Sequence, residues 1–138
     1  MLKIILCFGS LFLFLNKNLI AQQDSDSDET KTSSPKVIYG TASYYSNKFH
    51  GRKTANGEIF SQQKLTAACN VLPLGTWIRV TNLRNRRSVV VKVNDRLHPR
   101  MKRVVDLSRA AAQRLNFIRS GITRVKVEVL GKKKPDPD

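Results

Sequence analysis

Three stretches of this chain alternate apolar and polar residues with a period of two, and that pattern commits most of it to extended structure. Ser88 to Asp95 puts Val89, Val91 and Val93 on one face, opposite Lys92. Thr76 to Leu83 sets Ile78 and Val80 against Arg79 and Thr81, and Thr123 to Leu130 sets Val125, Val127 and Val129 against Arg124, Lys126 and Glu128. Successive side chains of a strand point to opposite faces, so each stretch predicts a half-buried strand. Arg84 to Arg87 joins two of them, and Asn85, which tolerates a left-handed backbone, predicts a hairpin turn there. Val37 to Tyr45 is a fourth strand candidate and Val104-Val105 a short fifth. A helix is expected after Ser108, a good N-cap, running through three alanines to Leu115, with Asn116 ending it. A mainly β domain at 37–130 with one or two short helices points to a small barrel, because closure leaves no strand edge exposed.

The flanks differ in kind. Lys3, the apolar run from Ile4 to Leu15 and a polar stretch to Ala21 have the layout of a secretory signal peptide over residues 1–21. The run is too short for a stable membrane span, since about a dozen helical residues reach roughly 18 Å against a hydrocarbon core of roughly 30 Å. Residues 22–36, rich in Ser, Thr, Asp and Lys, predict a flexible tether. Residues 131–138, a lysine run followed by Pro-Asp-Pro-Asp, predict a disordered tail on the same ground. Such a signal, cleaved after Ala21, predicts export to the periplasm or cell envelope, or secretion. Cleavage also removes Cys7, leaving Cys69 alone with no disulfide to form.

Charge narrows the choice of partner. The chain holds 25 Lys and Arg against 10 Asp and Glu, a net of +15. Loss of Lys3 and Lys17 with the signal leaves +13. Asp24, Asp26, Asp28 and Glu29 crowd the tether, so that between Tyr39 and Leu130 only Glu58, Asp95, Asp106 and Glu128 are acidic. A field of this sign attracts polyanions. For an exported chain that means anionic wall polymer or a membrane surface rather than nucleic acid, with a merely solubilising basic surface as the plain alternative. There is no phosphate loop or nucleotide fingerprint, and His50, Cys69 and His98 lack the paired spacing of a zinc site, so no cofactor or metal is expected. Cys69 is read as a small buried thiol rather than a nucleophile.

Eight blocks then occur in order. They are Gly40-Thr-Ala-Ser-Tyr-Tyr45, Phe49-His-Gly-Arg52, Thr54-Ala-Asn-Gly-Glu58, Leu65-Thr-Ala-Ala68, Leu72-Pro-Leu-Gly-Thr76, Arg79-Val-Thr-Asn-Leu83, Val91-Lys-Val-Asn-Asp-Arg96 and Val105-Asp-Leu-Ser-Arg-Ala-Ala-Ala112. In order and spacing they resemble the RlpA (rare lipoprotein A) family of lytic transglycosylases. The resemblance implies a six-stranded double-psi β-barrel, the fold also seen in expansins and barwin-like proteins. It further implies cleavage of peptidoglycan glycan strands to 1,6-anhydromuramic ends. In that chemistry one carboxyl group serves as acid and then as base, and no water nucleophile is needed.

Asp106 and Asp95 are both carried as that group, since one precedes a helix cap and the other ends a valine-rich strand. Glu58 is a supporting acid or substrate contact, and Tyr44, Tyr45, Asn56, Cys69 and Arg96 are candidate substrate-binding residues. Phe49 and Trp77 are expected in the core. Two departures stand out: Cys69 occupies the place of a family histidine, and the usual Asn-Asp-Arg-Gly-Pro is here Asn94-Asp-Arg-Leu-His98-Pro99. A non-cleaving, expansin-like or barwin-like binder of the wall is the alternative, and a monomer is expected in either case.

Overall fold

Six strands fold the valine faces inward around one core. The computed structural model describes residues 34–137. The expected signal peptide at 1–21, Cys7 and residues 22–33 of the expected tether lie outside the described residues. Within them run β1 (Val37–Tyr44), β2 (Thr66–Ala68), β3 (Trp77–Asn82), β4 (Ser88–Asp95), β5 (Val105–Leu107), the helix α1 (Arg109–Arg114) and β6 (Thr123–Gly131), with one turn of 3-10 helix at Asn47–Phe49. The strands close in the order β1-β5-β2-β4-β3-β6. β1 pairs with β5 and β2 with β4 in parallel, and the other four pairings are antiparallel. This is the closed mixed sheet of a double-psi β-barrel.

Alternation fills the interior as the sequence predicts. Ile78, Val80, Val91, Val93, Val105, Leu107, Val125 and Val127 are completely buried, and the small α1 adds Ala111, Ala112 and Leu115. The Ser108 hydroxyl accepts from the Ala111 amide and caps that helix, and Asn116 follows it in a left-handed conformation (φ 53°). One polar side chain ties the barrel floor together. Buried Asn82 donates to the Leu115 carbonyl at 2.9 Å, and its Oδ1 accepts from Thr123 Oγ1 at 2.8 Å and the Arg84 amide at 3.0 Å.

Three details differ from expectation. β2 was not expected: three buried residues are too few to show a period. In the β3–β4 turn the left-handed residue is Arg86 (φ 62°), not Asn85. Asn85 acts through its side chain instead, accepting from the Arg87 amide and donating to the Leu115 carbonyl, and so shapes the turn while its neighbour takes the unusual backbone. Finally, β6 extends to Gly131, where a tail was expected to begin, and Lys132 Nζ donates to the Leu74 carbonyl at 2.6 Å while Lys134 lies over the Trp77 ring.

Where β1 and the approach to β5 converge there is room only for glycine. A Cβ on Gly40 would lie 2.9 Å from both Cβ and Cγ1 of Val104. Because Val104 Cβ moves only with its backbone, Gly40→Ala is expected to cost about 1–3 kcal/mol by overpacking. Urea denaturation checks this, and an unchanged midpoint would show that the strand pair yields freely.

Candidate active site

Asp95 and Asp106 meet on one wall of the barrel through the register of β2. Ala68 is the partner of Asp95 on β4 and of Asp106 on β5. Two inter-strand steps therefore separate the two aspartates, about 10 Å between Cα atoms. Asp106 points outward by simple alternation, half-buried between fully buried Val105 and Leu107. Asp95 is not. Two residues after inward-facing Val93, it would share that inward face in a regular strand. The register instead jumps from Ala67↔Val93 to Ala68↔Asp95, passing over Asn94. This bulge turns Asp95 to the side of Ala68, one of the ways an extra residue re-aims a side chain beside a site.

The wall opens into a groove of about 550 Å³ lined by both aspartates, by the small Ala68, and by the aromatic side chains of Tyr44, Tyr45 and Phe49. Leu97, His98 and Met101 also line it, and Lys48, Arg96 and Arg103 supply cations. A depression of about 650 Å³ lies between Trp77, Lys64 and the tail, but it gathers a single carboxylate, Asp136, and none of the candidate residues.

The two carboxyl groups have different partners. Asp106 binds Arg103 side-on, with Nε to Oδ1 at 2.7 Å and Nη2 to Oδ2 at 3.0 Å. Those bonds hold the guanidinium above its ordinary pKa, with the opposite charge adding to the effect. Asp95 has neutral partners only. Its Oδ1 accepts from the amides of Ala55 (2.9 Å) and Arg96 (2.8 Å), and its Oδ2 accepts from the Tyr45 hydroxyl at 2.6 Å. The Tyr45 ring is stacked on Phe60 at 4.2 Å and meets the edge of Phe49. Burial, followed by the hydrogen bond to Asp95, pushes its phenol far above the ordinary value of 10. Tyr44 spends its hydroxyl on the Ile118 carbonyl and packs against Phe117, leaving its ring to the groove.

Glu58 and Asn56, both exposed, are not among the residues that line the groove. Glu58 Oε2 accepts from Asn94 Nδ2, in the bulge itself, and Oε1 accepts from Asn56 Nδ2 and Lys92 Nζ. Asn56 Oδ1 in turn accepts from Thr54 Oγ1 and the Glu58 amide. The pair fixes the 54–58 turn that presents the Ala55 amide to Asp95. The hydrogen bond from Asn94, more than any other influence, holds the Glu58 carboxyl below its ordinary value of 4.5.

Cys69 is corrected as a substrate contact. Its side chain is completely buried in the core cluster, because it alternates with Ala68, whose side chain faces the groove. What it offers is its carbonyl, which accepts from Arg96 Nη1, as does that of Leu72. Arg96 lines the groove while clamping this loop. His98 also lines the groove, its Nδ1 accepting from the Arg100 amide, whereas exposed His50 accepts from the Gln62 amide away from it.

Phe49, expected in the core, is a groove residue, and Trp77 is half-buried on the outer face of β3. Sequence reasoning did not single out Ala68, Lys48, Arg103 or Gln62. Buried Gln62 links the Tyr45 carbonyl to the Arg109 amide and so holds the aromatic side in place. Arg103 has a visible signal in the sequence, its spacing of three residues from Asp106. Among the described residues no cluster of three or more His, Cys, Asp or Glu is placed to hold a metal.

Comparison with known proteins places this geometry. A family model described as lytic transglycolase matches residues 37–127. The endolytic peptidoglycan transglycosylase RlpA of Pasteurella multocida is 51% identical over 92 residues, 66% of this chain and 31% of that protein. Its namesake from Pseudomonas aeruginosa is 54% identical over 91 residues, 66% of this chain and 27% of that protein. The chain thus spans about a third of the length of these curated relatives. Among solved structures, a Clavibacter michiganensis expansin superposes with a TM-score of 0.58 at 19% identity, covering 74% of this chain and 53% of that one. The Streptomyces papain inhibitor gives 0.57 at 20% identity, covering 70% of this chain and 96% of that one. At such identities the structures share the fold alone.

Two measurements follow. Cys69 is expected to react with a thiol reagent in urea but not in the native protein, and rapid native labelling would contradict its burial. A carboxyl held below its ordinary value stabilises the fold above pH 4.5, and that contribution fades as pH falls through the lowered value. Urea midpoints measured from pH 7 down to pH 3 are therefore expected to fall less steeply in Glu58→Gln than in the parent.

Proposed function

Because the chain belongs to the lytic transglycolase family, we propose that its groove cuts the glycan strands of peptidoglycan by transglycosylation, with Asp95 moving the proton. The supporting observation is the contrast between the two carboxyl groups. Protonating Asp106 breaks a bidentate ion pair with Arg103, whereas the partners of Asp95 are a phenol and two amides. Asp95 can take up and give away a proton without losing a salt bridge.

The reaction asks for that cycle. Protonated Asp95 donates to the glycosidic oxygen, the bond to the anomeric carbon breaks, and positive charge spreads onto the ring oxygen. The emptied carboxylate then accepts the proton of the muramic acid 6-hydroxyl as that oxygen bonds to the anomeric carbon, closing the 1,6-anhydro ring. No water is consumed. Tyr44 and Phe49 offer ring faces to the C–H surfaces of the sugars, and Lys48 and Arg96 suit the carboxylates of a wall polymer. Asp106, tied to Arg103, forms the far wall and keeps that guanidinium in place.

The substrate lies outside the cytoplasm, so we place the protein in the periplasm or cell envelope, exported by residues 1–21. There it works as a monomer, without cofactor or nucleic acid. No helix among the described residues is long and apolar enough to cross a membrane. One observation favours a second reading, a non-cleaving hold on the glycan. At position 69, where the family resemblance leads one to expect a histidine, there is a buried thiol, so the groove's imidazole comes from His98 instead.

Glycan strands freed of stem peptides separate the two readings. Mass spectrometry is expected to find 1,6-anhydromuramic products from the parent. Asp95→Asn is expected to lower their rate by about 100-fold or more, and Asp106→Asn to lower it less. A folded parent protein that binds sacculi but forms no such products would establish the binder instead.

A further inference from the structure

We infer that Tyr45 is a positioning residue for Asp95, its hydroxyl leaving one defined site on the carboxyl group for the transferred proton. The inference rests on the function proposed above. A carboxylate offers about four lone-pair directions, two on each oxygen. On Asp95 Oδ1 both are met, by the amides of Ala55 and Arg96, and on Oδ2 one is met by Tyr45. A single direction remains, on Oδ2, in a side chain that lines the groove. The proton that passes to the glycosidic oxygen and the one taken back from the 6-hydroxyl therefore use the same site.

Tyr45 suits this task because only its hydroxyl hydrogen is free to turn. Its ring is held between Phe60, which is buried, and the edge of Phe49. Its carbonyl accepts from Gln62 Nε2 at 2.7 Å and its amide donates to the Leu107 carbonyl at 2.9 Å, tying it to β5. The phenol also stays protonated across the working range, since burial and Asp95 both oppose its ionisation, so it remains a donor when Asp95 has lost its proton. With its hydroxyl committed to Asp95, Tyr45 does not serve as a polar contact for sugar. Deleting the hydroxyl opens a second direction on Oδ2, and the proton is then divided between a productive and an unproductive site.

Tyr45→Phe in the full chain tests this. It keeps the ring stack and is expected to lower kcat about 10- to 100-fold while KM stays within about twofold. An unchanged kcat, or a loss carried wholly by KM as for a sugar contact, would overturn the inference. A second readout does not depend on turnover. In the parent protein, NMR is expected to show a slowly exchanging Tyr45 hydroxyl proton shifted downfield by its 2.6 Å bond, and Asp95→Asn is expected to move it. Absence of that resonance refutes the positioning role even if products form. If the resonance is present but no anhydro products form, the function fails while the hydrogen bond on which the inference stands is retained.

Discussion

One extra residue in β4 governs what this barrel can do. With Asn94 inserted, Asp95 leaves the inward face of Val93 and comes beside Ala68, so a strand that otherwise only fills the core ends with a carboxyl group on the groove. A bulge leaves its extra residue outside the ladder, and other bonds must hold it. Here Asn94 donates to Glu58 through its side chain and accepts from the Asn56 amide through its carbonyl, while Asn94 Oδ1 is buried with no partner among the described residues. The 54–58 turn is thus both the brace for the bulge and, through the Ala55 amide, a direct partner of the side chain that the bulge aims.

The division between the aspartates has the same origin. A guanidinium reaches Asp106 because Arg103 lies three residues earlier on the approach to β5, and the side-on pair fixes both groups at one rim. At the other rim the nearby Arg96 turns its guanidinium away, toward the carbonyls of Cys69 and Leu72, and gives Asp95 only its amide. A very basic domain thereby keeps one acid free of cation hydrogen bonds within its groove. Surface ion pairs such as Lys92–Glu58 contribute little energy singly. This one matters for where it holds the chain.

Much of the fold was legible because period-two alternation records which face of a strand meets the core. The valines of β3, β4 and β6 were visible on that basis, and the Ser108 cap and left-handed Asn116 through the preferences of those residues for helix ends. β2 was not, since a three-residue strand buried on both faces has no alternation to display. The left-handed turn residue was misplaced by one because an asparagine can shape a turn through its side chain as readily as through its backbone. At the site, the family-like blocks brought forward Asp95, Asp106, Tyr44, Tyr45 and Arg96, all of which line the groove. They also brought forward Glu58, Asn56 and Cys69, which do not, because a motif marks residues that a fold requires without separating those that face the ligand from those that hold the wall.

The sequence by itself determined a small, basic, mainly β barrel with very few acids in its folded part, and a family to compare it with. Composition and local periodicity carry that information, since each depends only on residues near one another in the chain. Only the tertiary structure decided that Asp95 faces the groove, that Asp106 rather than Asp95 takes Arg103, that Cys69 turns inward, and that Tyr45 closes on Asp95 across fifty positions. Those outcomes depend on a one-residue register shift and on pairings between distant strands. Neither leaves a local trace that a pattern could report.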